Sequence, residues 1–240
     1  MTASRTEVWE ECTKFIINQV ADEDEHLGEV KNTYFVSAVL ENNKKILLFR
    51  LDEDEIKGMG GAWRSFNITV RYATSNDENS VLVTFNRKFK PTNGCCCGSG
   101  SAVTVYNSSE KEMGEVQQQL SMMNSTYRIK PNGDVDEMKI EGRSACWLKC
   151  LACLYRYDTY EIFKIKDNKG NCIGEMGREF TGHDTSTSET NQTADSDRFT
   201  VTLNKKISAY QKTLLLGAVI CIDFDLFEDN VKSKVDTDHI

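Results

Sequence analysis

Three adjacent thiols, Cys95-Cys96-Cys97, are the residues whose type and spacing point most directly to chemistry. They lie in a Gly/Ser-rich stretch (Gly94, Gly98, Ser99, Gly100) shortly after the cations Arg87, Lys88 and Lys90. Neighbouring thiols in an exposed loop suit reversible S-palmitoylation, and the cations add an electrostatic attraction to anionic lipid. One acyl chain holds a bilayer only marginally, so several chains plus a basic patch make a credible anchor. An unmodified reduced cluster and a metal site are the alternatives.

Cys146, Cys150 and Cys153 could join a fourth thiolate around zinc, but their spacing is a poor ribbon pattern. Core-type neighbours (Trp147, Leu148, Leu151, Leu154, Tyr155) favour packing as small hydrophobes. His26, His183 and His239 stand apart from any nucleophile motif. The run Asp52-Glu53-Asp54-Glu55 reads as a solvated face. Gly58-Met59-Gly60-Gly61 precedes a strand, so it offers a phosphate no helix N-terminus. The chain carries no catalytic constellation and reads as a non-enzyme.

Composition limits the partners. A net charge of −8 over 240 residues argues against a nucleic-acid binder, which needs a basic surface. Attraction to anionic lipid must then come from a local basic cluster. The first 18 residues include Glu7, Glu10 and Glu11 and lack an apolar core, so no signal peptide is expected. Nine cysteines, an odd number, are expected to stay mostly reduced in a cytosolic chain.

The elements that must position these residues are mostly strands. Ser4-Arg5-Thr6-Glu7 has capping-box spacing, and Trp9, Cys12, Phe15, Ile16 and Gln19 follow at helical intervals. This predicts an N-terminal amphipathic helix that the acidic run Asp22–Glu25 ends, packed outside a barrel or across its end. From Thr33 to Leu203 short alternating apolar segments are separated by turns such as Pro131-Asn132-Gly133-Asp134 and Asp167-Asn168-Lys169-Gly170. Hairpins at that density imply a mainly β fold, an antiparallel sheet of about twelve strands that closes to avoid exposed edges.

Near the end stands Leu214-Leu215-Leu216-Gly217-Ala218-Val219-Ile220-Cys221-Ile222, a run with nothing polar in it. A helix built there has no wet face. These nine residues, closed by Asp223 and Asp225, fall short of the roughly 20 that a bilayer crossing needs. The barrel needs a filling and the helix a container. The predicted domains are 1–28 (helix and acidic linker), 29–228 (barrel with central helix 208–228) and 229–240 (polar tail).

At this point the chain resembles the phospholipid scramblases, whose fold is a tubby-like barrel around a C-terminal helix. The resemblance runs from about Trp9 to Glu228. It is carried by Phe89-Lys90-Pro91 to Cys95-Cys96-Cys97, by the hairpin from Asp167 to Phe180, and by Asp195-Ser196-Asp197-Arg198-Phe199 with Gly217–Phe224. It implies a membrane-associated protein promoting ATP-independent, bidirectional, calcium-responsive movement of phospholipids between leaflets. The alternative is a membrane-tethered, tubby-like lipid- or protein-binding module that moves no lipid. The implied location is the cytoplasmic face of the plasma membrane or endomembranes, or the cytosol without acylation. The family's cysteine-rich loop falls where Cys95–Cys97 stand, which supports palmitate there. Two departures are the missing Pro-rich N-terminal arm and the weakly basic hairpin Gly174–His183, with one Arg against two Glu.

In the family, the segment opened by Asp195 and Asp197 is proposed to bind Ca²⁺. Counted as an EF-hand loop from Asp195, positions five, six and twelve are Phe199, Thr200 and Lys206, where oxygen ligands, Gly and a bidentate acid belong. A calcium site there is expected to be weak, with a solvated turn before a strand as the plainer reading.

Overall fold

Alternation builds the strands and turn chemistry joins them. The computed structural model describes residues 4–23, 30–54, 65–74, 80–88, 100–120, 124–143, 161–180 and 197–227. Helix α1 (Arg5–Glu11) is followed by β1 (Lys14–Glu23), β2 (Val30–Val39), β3 (Lys45–Glu53), β4 (Phe66–Tyr72), β5 (Val83–Arg87) and β6 (Ala102–Asn107). Next come β7 (Glu112–Leu120), β8 (Asn124–Pro131), β9 (Met138–Arg143), β10 (Glu161–Asp167), β11 (Cys172–Phe180), β12 (Asp197–Leu203) and helix α2 (Ala209–Leu226). Each strand pairs antiparallel with its sequence neighbours, and β1 against β12 closes the barrel.

Inward positions are apolar and dry: Phe15 and Ile17, Tyr34 and Val36, Val103 and Val105, and Phe199 and Val201 are fully buried. At one end the hairpins are tight. Asn107 Oδ1 accepts from the backbone N–H of Ser109 and Lys111, and Asp167 Oδ1 does so from Lys169 and Asn171. Gly170, at φ 86°, takes the left-handed conformation that a side chain would strain. The strand connections at the opposite end fall mostly outside the described residues.

Helix α2 runs along the barrel axis. Ser208 caps it, accepting from the Gln211 N–H while the Gln211 side chain accepts from the Ser208 N–H. The run expected as the central helix lies wholly within α2. Leu214, Leu215, Leu216, Gly217, Ala218, Val219, Ile220, Cys221 and Ile222 are all buried, and so are Asp223 and Phe224 beyond them. Burial on every side of the helix is what a run without a polar face requires. Enclosing its seven large apolar side chains is worth on the order of 10–20 kcal/mol before the entropy of ordering is counted. Gly217 lets the helix approach the wall, since a Cβ there would lie 3.3 Å from Val105 and 3.4 Å from Phe85. Ala218, Val219 and Ile220, each 0% exposed, carry the packing on around the helix. Where a Cβ is missing from the sheet, an aromatic can fill the space: the Phe163 ring occupies the volume a Cβ at Gly142 would take.

Helix α1 covers the end where α2 begins. The Trp9 ring meets Phe15 and Phe49 edge-on at 5.0 and 5.2 Å. Lys212, 0% exposed, donates from Nζ to the carbonyls of Trp9 (2.6 Å) and Glu10 (2.7 Å), closing the last turn of α1.

The expected fold is thereby found, with two corrections of extent. The amphipathic helix predicted to run to the acidic stretch ends at Glu11, and the barrel begins at Lys14, inside the segment assigned to helix and linker. Phe15, Ile16 and Ile17 are all buried because β1 packs inward while pairing on both edges, so a helical spacing is shared with a strand. The central helix spans Ala209–Leu226 rather than 208–228, and Ser208 is its cap.

Candidate functional site at the polar end of the barrel

Helix α2 ends among acids, where electrostatics opposes them. Asp223 and Asp225 lie in its last turn, at the negative pole of the helix dipole, and no basic residue shares that turn. Both are drawn out of water by the barrel, so each requires a partner from the wall. Tyr34 on β2 donates to Asp223 Oδ2 at 2.7 Å. Arg87, the last residue of β5, lies 2.9 Å from Asp225, with both side chains 6% exposed. Ser101, just before β6, donates to the other Asp225 oxygen, and Tyr127 on β8 also bonds this carboxylate while accepting from Gln118 at 3.0 Å.

Burial lifts the Asp225 carboxyl above its ordinary value, with Arg87, Ser101 and Tyr127 pulling it back. Burial also pushes the Tyr127 hydroxyl well up, and the nearby Asp225 charge adds to this. Cys221, one turn before Asp225, has its thiol raised well above the usual range by burial and then by Asp225. A thiol so held is neither a nucleophile nor an acylation target. A second buried pair completes the rim: Arg178 on β11 grips both oxygens of Asp197 on β12 at 2.7 and 2.8 Å and stacks over Phe227 at 3.8 Å. The assembly holds the end of α2 in register with five strands.

The residues singled out in the sequence fare differently. Arg87, expected at a membrane-facing surface, points inward, because the carboxylate of Asp225 needs a counter-charge that the helix cannot supply. Lys88 is exposed; Lys90 and Cys95, Cys96 and Cys97, in the connection from β5 to β6, lie outside the described residues, as do Cys146, Cys150, Cys153 and the three histidines. Asp195 is also outside them, and Asp197 spends its carboxylate on Arg178. No group of three His, Cys, Asp or Glu side chains that could hold a metal occurs among the described residues. Glu53, read as part of a solvated run, is buried and accepts from the Asn32 N–H at 3.2 Å. Of the central-helix residues, Leu214, Leu215, Leu216, Gly217, Ala218, Val219, Ile220 and Ile222 serve only as filling, and Cys221 alone touches the polar end, through Ser101 and Asp225.

Sequence reasoning missed Tyr34, Tyr127, Arg178 and Lys212. A signal was available for the first two: acids inside an apolar, barrel-enclosed helix demand donors from inward positions of the wall, and a tyrosine at such a position is a natural donor.

Fold and site together define a closed antiparallel barrel built around its own C-terminal helix. The family model described as Scramblase matches residues 6–229, and the chain belongs to the scramblase family. A comparison with curated proteins finds no match. This is not an enzyme family, and membership links the chain to membrane phospholipid. No helix among the described residues is long and apolar enough to cross a membrane.

Proposed function

We propose that this chain is a membrane-tethered, phospholipid-binding module whose barrel stays closed while it works. The observation that carries the reading is the enclosure of α2, fastened at its end by buried pairs from β2, β5, β11 and β12. A lipid pathway along α2 requires the barrel to open. That exposes apolar side chains worth on the order of 10–20 kcal/mol, against a typical domain stability of about 5–15 kcal/mol. It also leaves two unpaired strand edges, which hydrocarbon does not tolerate. Palmitate on Cys95, Cys96 and Cys97 supplies the tether, with Lys88 and Lys90 as its electrostatic supplement.

A second reading, calcium-responsive scrambling of phospholipids, is favoured by the family match over residues 6–229. Calcium at Asp197 would have to displace the Arg178 guanidinium, whose Nη2 donates to both carboxylate oxygens, which weighs against that site. Reconstitution separates the two readings. Purified protein is placed in liposomes carrying fluorescent lipid, and dithionite bleaches the outer leaflet. Bleaching that stops at one leaflet with or without Ca²⁺, alongside retained vesicle binding, supports the module; calcium-accelerated loss of the inner-leaflet signal supports scrambling. The tether is tested by hydroxylamine-sensitive acyl exchange in cells. Signal that persists after all three thiols become Ser removes it from Cys95–Cys97.

A further inference from the structure

The outward positions of β8, β9 and β10 carry a charge pattern that the closed barrel itself does not need. Strand register sets Arg128 opposite Lys139, and Lys139 opposite Lys166, so three cations stand in one row across three strands. Like charges directly opposite on a sheet are destabilising. Lys130 and Lys164 flank this row on the same face. Among the described side chains these strands therefore present five cations outward against one carboxylate of their own, Glu141, on a chain whose net charge is −8. Glu141 is shared between Lys139 and Lys166, and Arg128 reaches Glu137 in the adjoining turn at 2.6 Å. Glu115 on β7 and Glu175 on β11 stand opposite Lys130 and Lys164, so among the described residues the surplus on this face is one cation, held where Lys139 and Lys166 share Glu141.

A second feature lies on the same face. Ile162, at the start of β10 and in line with Lys164 and Lys166, is 53% exposed, the most exposed large apolar side chain among the described residues. It stands at the end of the barrel where α2 terminates and where β5 leads into the connection bearing Cys95–Cys97. The row of cations is about 10 Å wide over three strands and stands on the convex outer wall of the barrel. An apolar side chain at its rim completes the combination that attaches proteins to the surface of an anionic bilayer.

We propose that the outer face of β8–β10 docks onto anionic phospholipid headgroups, with Arg128, Lys139, Lys164 and Lys166 over the headgroups and Ile162 entering the interface. This rests on the reading that the chain binds phospholipid, and it assigns the face that does so. The dipole and charge of the buried site play no part, because Arg87 and Arg178 are turned inward.

The full-length, unacylated chain is sedimented with phosphatidylcholine vesicles, with and without phosphatidylserine. Wild type should prefer the anionic vesicles and release from them as salt rises. Each cation near such a surface contributes about fivefold, so K139Q/K164Q/K166Q should lose roughly a hundredfold in partitioning. Ile162→Ser should lose roughly tenfold on both vesicle types, because apolar insertion does not depend on lipid charge. K44Q/K45Q/K111Q, with the same change in net charge in the β2–β3 and β6–β7 hairpins outside β8–β10, should bind as wild type. Circular dichroism of all variants should match wild type, since the substituted groups are exposed or partly exposed. Strip and control variants that bind equally well would overturn the face assignment while leaving lipid binding intact. Wild type that binds neither vesicle would overturn the assignment and the phospholipid-binding reading together.

Discussion

Replacing Arg87 with Ala strips the counter-charge from a carboxylate that is nearly closed to water. Arg87 and Asp225 are each 6% exposed and lie 2.9 Å apart. Breaking a buried pair from one side costs about 3–5 kcal/mol, because the remaining charge is uncompensated. In a domain of this size each kcal/mol moves Tm by about 2–4 °C, so R87A should melt roughly 6–20 °C below wild type. Arg87→Met combined with Asp225→Leu removes both charges and should recover most of the loss, since apolar replacement of a buried pair is often neutral or stabilising. An independent check comes from pH. Burial holds the folded Asp225 carboxyl above its unfolded value of 3.8, so between those values the native state binds more protons than the unfolded chain. The cost of burying the charge is thus present above the folded value and is relieved as pH falls through it. Without Arg87 the carboxyl rises further, and the R87A deficit should shrink from neutral to mildly acidic pH. Urea unfolding followed by far-UV circular dichroism at both pH values measures this. A deficit under about 1 kcal/mol at neutral pH, the scale of an exposed pair, or one that grows on acidification, would refute the reasoning.

Other substitutions test the core and its cover. Leu215→Ala, at a fully buried position of α2, should cost about 2–5 kcal/mol in urea unfolding. Gly142→Ala places a Cβ inside the volume of the Phe163 ring and should cost about 1–3 kcal/mol, much of it regained on adding Phe163→Leu. Lys212→Met keeps the stem but removes both donors to α1, so amide exchange in residues 8–12 should accelerate while the strands stay protected. Burial holds the Lys212 ammonium below its unfolded value of 10.5. The native state therefore binds fewer protons in that window, and this residue's contribution to stability rises with pH there, an increment Lys212→Met should lack.

Most of the barrel was legible because its strands obey a two-residue period and its turns use Asn and Asp side chains to accept backbone N–H groups, as at Asn107 and Asp167, and Gly at a left-handed position, as at Gly170. The central helix was legible for a different reason: a helix with no polar face and too short to span a bilayer must be enclosed. The first strand was not, because Trp9, Cys12, Phe15 and Ile16 satisfy a helical spacing while Phe15 and Ile17 also satisfy the strand period. Only pairing with β2 and β12, which is non-local, decides between them. The polar end was half legible. Asp223 and Asp225 announced that the helix needed partners, yet Arg87 is 138 residues from Asp225 in sequence and reads as a surface cation beside the thiols. Charge alone does not tell an inward cation from an outward one; at the end of a strand a single step of register does.

The account turns on α2 remaining inside its own barrel when the protein meets a membrane. The direct measurement is photolabelling with a phospholipid carrying a photoreactive group in its acyl chain, followed by peptide mapping of the vesicle-bound, full-length protein. The account predicts label on the outer face near Ile162 and none on Leu214–Ile222, whose side chains are 0–2% exposed apart from Gly217, which has none. Label concentrated on Leu214–Ile222 would contradict it.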